Sequence, residues 1–296
     1  MADLIAKKFE RLKIKMKVRI LTSIAILAVL VPIVLLSQYI MYPVLLSLLA
    51  AIAVFEMLRV CGMEREWFVA VPAYLYALAF PLSSYFVTGE RLYAFLLILF
   101  AFIFVYLIYL MAISVFSKGR LTVARVSEVF YTLTYIIVSF TSMSVIRYVD
   151  RSVGLYVVIL AFVAAWMTDV SAYFVGTFIG KHKLIPDVSP KKTVEGSVGG
   201  VFFATVSLPL YGFILDLIIK ELSVNYLALV VLGLVLSVIS QIGDLIASLI
   251  KREHGVKDYS NLLPGHGGVM DRFDSLLPVS TAILVLCLIF PPFAII

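Results

Sequence analysis

Runs of about twenty apolar residues follow one another along this chain with little between them, and that succession narrows the fold before any single residue is considered. A hydrocarbon core about 30 Å thick takes roughly 20 apolar residues as a helix, because each backbone N–H and C=O must find its partner inside the segment. About nine runs can be marked, near residues 20–37, 40–58, 67–87, 92–116, 129–146, 152–180, 199–219, 225–250 and 273–295. With 63% hydrophobic and 14% charged residues, too little polar surface remains to clothe a soluble body. The expected fold is all-α, a polytopic integral membrane protein with about nine transmembrane helices.

The basic residues orient it. Twenty of the 24 lysines and arginines fall on segments that share a side with the N-terminus, leaving only Arg91, Arg147, Arg151 and Lys220 opposite. By the positive-inside rule the N-terminus is cytoplasmic and the C-terminus outside, in the inner cell membrane. The net charge of +6 is this bias at work, so membrane lipids and no nucleic acid are the expected partners. The first apolar run is too long for a signal-peptide core, and Ser37-Gln38-Tyr39 makes a poor cleavage site, so no signal peptide is expected. Cys61 in an inner loop and Cys287 in the last run lie at different depths, so neither a disulfide nor a cysteine metal site is expected.

Three regions follow. Residues 1–19 set Ile5, Phe9, Leu12 and Met16 at helical spacing among seven basic residues, which fits an amphipathic surface helix or a solvated basic tail. Residues 20–151, about five spans, form a transmembrane scaffold without evident chemistry. Glu56 stands three residues before Arg59, a spacing that reads as a structural ion pair on one helix face. Residues 152–296, about four spans, form the catalytic region and hold all three histidines, His182, His254 and His266. Within it Asp216, four residues before Lys220, reads as a second structural pair.

Asp169 and Asp244 each interrupt an apolar run. An ionised carboxylate at mid-bilayer costs roughly 2.5–3.5 kcal/mol on insertion scales, so such a group needs a base or a metal beside it. Asp244, Ser248 and Lys251, at i, i+4 and i+7, share a helix face. Asp271 and Asp274 share another, where the last run begins. Acidic groups from two neighbouring helix ends suit magnesium, which takes a few carboxylates and completes its shell with substrate phosphates. Gly265, Gly267 and Gly268 let backbone N–H groups approach an anion, and Lys251, Arg252, Lys257 and Arg272 add positive charge. A plainer reading stays open for each: a helix cap at Asp271, a simple turn at the glycines, topology signals in the basic residues. Upstream, Ala172, Gly176 and Gly180 make a small-residue stripe for close helix packing, and Ser189, Lys191 and Lys192 precede another helix start.

At these residues the chain resembles a known family. The 27 residues from Ser248 to Asp274 carry Ser-x-x-Lys-Arg, Lys257-Asp258, Pro264, His266-Gly267-Gly268 and Asp271-Arg272-x-Asp274, which is similar to the signature of phosphatidate cytidylyltransferases. The stretch from Asp169 through Ser189-Pro190-Lys191-Lys192-Thr193-x-Glu195-Gly196 resembles that family too. The resemblance implies transfer of the cytidylyl group of CTP to phosphatidate, giving CDP-diacylglycerol and pyrophosphate. It implies that Asp244 and Asp271 hold Mg2+, with Asp274 supporting that ion or binding a second cation. Asp169 would complete the catalytic set with Lys257. Ser189, Lys191, Lys192, Ser248, Lys251, Arg252, His266, Gly267, Gly268 and Arg272 would contact substrate. A homodimer is suggested by the resemblance alone.

Two other classes compete. A cation-coupled transporter would also place aspartates in the membrane, but gains nothing from a lysine- and glycine-rich inner loop, and no inverted repeat is evident. An enzyme moving a phospho-alcohol from a CDP-linked donor would begin its motif Asp-Gly-x-x-Ala-Arg, a string this chain does not contain.

Overall fold

The computed structural model describes residues 21–295, so the amphipathic segment expected at 1–19 lies outside the described residues. Helices α1 (Leu21–Leu35), α2 (Met41–Val60), α3 (Trp67–Ser83), α4 (Gly89–Phe116) and α5 (Val123–Val149) make up the first half. The second half holds α6 (Gly154–Phe178), α7 (Val194–Ile218), α8 (Tyr226–Glu253), α9 (Met270–Phe273) and α10 (Leu276–Ile289). Two small antiparallel ribbons join them, β1 (Lys183–Ile185) with β2 (Ser189–Thr193), and β3 (Leu222–Val224) with β4 (Phe293–Ile295).

Burial separates lipid-facing helices from central ones. In α4 only Leu92, Leu99, Tyr106 and Leu110 are buried, a single stripe along 28 residues, and most of its other apolar side chains are exposed. In α5, 16 of 27 residues are buried, and it packs against α2, α3, α4, α6 and α10. Two of its buried hydroxyls find backbone acceptors: Thr141 donates to the Ile137 carbonyl one turn back at 2.6 Å and Ser144 to that of Pro81 on α3 at 3.0 Å. The most extensive helix contact is α6 on α7. There the Ala172–Gly176–Gly180 stripe meets Gly196 and Gly200, and a Cβ on Gly196 would stand 2.6 Å from the Ala172 carbonyl oxygen.

Among the described residues seven helices, α2 to α8, are long and apolar enough to cross a membrane, α3 together with its 3-10 extension to Phe86. The chain is thus a multi-pass, all-helical membrane protein. The expected first and ninth spans appear as the shorter α1 and α10. The ninth is broken for a local reason: Pro278 lacks the N–H that would bond the Asp274 carbonyl, so α9 and α10 are separated by a turn at Asp274 and Ser275. Pro291 and Pro292 then end α10, and β4 pairs with β3 in the register Leu222↔Ile295, Ser223↔Ala294, Val224↔Phe293.

Two expected ion pairs do not form. Glu56 turns away from Arg59 and takes its hydrogen bonds from the loop before α9, while Asp216 accepts from the Tyr226 hydroxyl at 3.0 Å instead of pairing with Lys220. Glu56 finds its partners more than 200 residues away, and Asp216 finds its own ten residues on, in the next helix.

Candidate active site

Asp169 and Asp244 each stand nine residues before the end of their helix, α6 and α8, roughly 14 Å below it along the axis. Between them sits Asp274, in the turn that Pro278 creates. The Ser275 hydroxyl in that turn donates to Asp169 Oδ2 at 2.7 Å, fastening α6 to the turn. Asp274 lies within electrostatic reach of both Asp244 and Asp169, with Lys251 as the opposing charge.

Asp244 and Asp271 are each met by a lysine from a different element. Lys192, carried by β2 just before α7, places Nζ 2.7 Å from Asp244 Oδ2 and 3.5 Å from the Gln241 carbonyl. The β1–β2 ribbon sets this reach, and Thr193 caps α7 by accepting from the Gly196 N–H at 3.1 Å. Ser248 lies 3.4 Å from the other oxygen of Asp244. On the far side Lys251 Nζ is 2.8 Å from Asp271 Oδ1 and sits over the Tyr259 ring. The Tyr259 and Gly268 N–H groups donate to Asp271 Oδ2 at 2.8 and 3.0 Å. Asp244, Asp271 and Asp274 are not gathered within 4.8 Å of one another; among the described residues only Cys61, Glu128 and His254 are.

The loop 254–269 is shaped by Gly267 and by Glu56. Gly267 has φ +85°, a left-handed conformation that glycine adopts freely, and a Cβ there would meet Asp271. A Cβ on Gly268 would strike the Glu56 carboxylate, which comes this close to accept from the Val269 and Met270 N–H groups at 2.9 and 2.8 Å and from Ser260 Oγ at 2.6 Å. His266 faces α1, its Nε2 2.9 Å from Ser23 Oγ. Arg252, Lys257, Arg272 and Lys191 are exposed and Ser189 half-buried.

Sequence reasoning missed Glu56, whose contacts lie more than 200 residues away. It also missed Tyr135 on α5 and Ser240 on α8, whose buried hydroxyls have no hydrogen-bond partner among the described residues. Ser240 sits one helical turn from Asp244, and Tyr135 faces the Asp274 side. Ser240, four residues before Asp244, was legible as a same-face neighbour; an aromatic in an apolar run gave no signal.

A cavity of about 720 Å³ opens beside the acids. Asp169, Asp271, Asp274, His266 and Arg272 line its polar end, and Leu27, Leu30, Leu45, Leu49 and Phe162 from α1, α2 and α6 its apolar end.

A model of the cytidylyltransferase family matches residues 17–290. The phosphatidate cytidylyltransferase of Bacillus subtilis is 34% identical over 282 residues, spanning 94% of this chain and 99% of its own. Those of Staphylococcus saprophyticus and Staphylococcus aureus are each 35% identical, over 279 and 280 residues, spanning 91% of this chain and 99% of theirs.

Proposed function

This chain belongs to the cytidylyltransferase family, and from that premise we propose that the acids around Asp274 and the cavity beside them are where it works. It is a nucleotidyltransferase of phospholipid biosynthesis: CTP and phosphatidate give CDP-diacylglycerol and pyrophosphate. The phosphatidate phosphate attacks the α-phosphorus of CTP, a P–O bond forms, and the bond to the β-phosphate breaks. That phosphate is already ionised near neutral pH, so the reaction asks the protein for in-line positioning and charge neutralisation more than for a base.

The cavity carries this reading. One end holds three aspartates, a histidine and an arginine, the other a wall of leucines, which suits a substrate with a charged head and acyl chains. Phosphatidate would lie with its tails along α1 and α2 and its phosphate near Arg272 and His266. CTP would approach from the exposed basic side, where Lys191, Arg252, Lys257 and the β2 residue Ser189 are available to a triphosphate.

Magnesium suits the donors present. Asp244, Asp271 and Asp274 offer hard oxygens too far apart for a closed cage, and magnesium asks for one or two carboxylates plus substrate phosphates. Asp244 and Asp271 would hold it, with Asp274 supporting that ion or serving a second cation and Asp169 completing the acidic face; the ion would neutralise phosphate charge and polarise phosphoryl oxygens. Lys192 and Lys251 now cover Asp244 and Asp271, and are placed to turn to phosphate oxygens when those acids take another partner. Gly268 N–H and its neighbours back them.

Twenty of 24 basic residues on one side favour a cytoplasmic face for this site, where CTP is dissolved. Purified protein given labelled CTP and phosphatidate is expected to form CDP-lipid only with magnesium present. Formation of the same product in chelator would remove the metal from the reading, and no product at all would remove the reaction.

A further inference from the structure

Away from the acids, three residues from three helices converge on the basic side. Cys61 caps the C-terminus of α2, Glu128 lies in the second turn of α5, and His254 caps the C-terminus of α8. His254 Nε2 is 3.0 Å from Glu128 Oε1, Cys61 Sγ is 3.9 Å from the same oxygen, and the ligand atoms all lie within 4.8 Å of one another. We propose that Cys61, Glu128 and His254 bind a single divalent ion of the zinc class, which pins the start of the 254–269 loop to the scaffold helices. This goes beyond the nucleotidyl transfer described above.

The geometry suits tetrahedral zinc. With metal–ligand bonds of about 2.0–2.3 Å, neighbouring ligand atoms around the ion stand roughly 3.3–3.6 Å apart, and the separations of 3.0 and 3.9 Å straddle that range. The imidazole is already aimed: its Nδ1 is 3.0 Å from the Ile250 carbonyl, a second hydrogen bond of the kind that orients metal-binding histidines and leaves Nε2 for the ion. One thiolate and one carboxylate balance a dication. Without an ion the thiol is held protonated, pushed up to about 12 by burial and by Glu128, with Arg125 opposing. On binding, the thiol proton leaves to water as the S–metal bond forms.

Donor chemistry separates this cluster from the aspartates. Sulfur and imidazole select a softer ion than oxygen does, so zinc and magnesium would sort to different places. The expectation of no cysteine metal site assumed that Cys61 needed Cys287, whereas its partners here are a glutamate and a histidine. Position supplies the consequence. His254 is where α8 gives way to the loop carrying Lys257, three residues after the Lys251 that holds Asp271.

The test is cobalt(II) titration of the full chain, purified in detergent and stripped with chelator. One equivalent is expected to give a thiolate-to-cobalt charge-transfer band in the near ultraviolet with the intense visible bands of four-coordinate cobalt. Cys61→Ser loses the charge-transfer band, His254→Gln weakens both, and Cys287→Ser changes neither. Should Cys61→Ser not fold, alkylation of the wild-type thiol decides: zinc is expected to protect Cys61, but not Cys287, from a maleimide. A wild-type spectrum without the thiolate band, a band that follows Cys287, or unprotected Cys61 overturns the site and leaves an ordinary Glu128–His254 ion pair. Magnesium-dependent CTP turnover, measured on the same wild-type sample, reports separately on the transferase reading.

Discussion

Asp271 and Asp244 each face a lysine, and almost everything else about them differs. Asp271 is 7% exposed, and its two oxygens hold Lys251 and the N–H groups of Tyr259 and Gly268. Asp244 is half-buried, with Lys192 on one oxygen and a long contact to Ser248 on the other. A carboxylate with every oxygen engaged by its own chain shapes that chain. One with capacity to spare can receive something from outside. Asp271 must release a buried lysine before it meets an ion, whereas Asp244 need only exchange a partly exposed one.

The sharpest way to break this comparison is to neutralise each acid. Asp244→Asn is expected to lower incorporation of labelled CTP into lipid by about 10³-fold, the upper range for removing one electrostatic contact to a transition state, with the thermal midpoint nearly unmoved. Asp271→Asn should lose activity and also about 3–5 kcal/mol of stability, because Lys251 is left buried beside a neutral amide. Equal midpoints for the two variants would erase the distinction.

Glu56 extends the contrast to the scaffold. Glu56→Ala strands two backbone donors and a hydroxyl, at about 1–3 kcal/mol for each that stays buried, while Arg59→Ala, at an exposed position, should stay within about 0.5 kcal/mol. Denaturant unfolding in detergent separates them. Lys192→Ala should raise KM for CTP about tenfold and Lys191→Ala by less, since only Lys192 is positioned against an acid; steady-state kinetics that rank them the other way would reassign the triphosphate contact.

Hydropathy made the long helices legible, because a run of twenty apolar residues has few alternatives. It misjudged the last one, where the turn at Asp274 and Ser275, set by Pro278, leaves only Leu276–Ile289 as the long helical part. The polar stretch from Asp244 to Asp274 and the lysines before α7 were visible as residues, but their pairings were not. Periodicity put Lys251 on the face of Asp244, and the structure gives it to Asp271 across the loop instead. Glu56 was obscured by a plausible neighbour at i+3, and Tyr135 by its apolar surroundings. Contacts between distant segments depend on tertiary packing, which no local spacing encodes.

The reach of Glu56 from α2 to the backbone of Val269 and Met270 has a consequence for anyone who would divide this protein. Severing the chain near residue 151 would strip the downstream fragment of the carboxylate that accepts from Ser260, Val269 and Met270. Such a fragment should regain an ordered turn only when the upstream piece is supplied in trans with its glutamate intact.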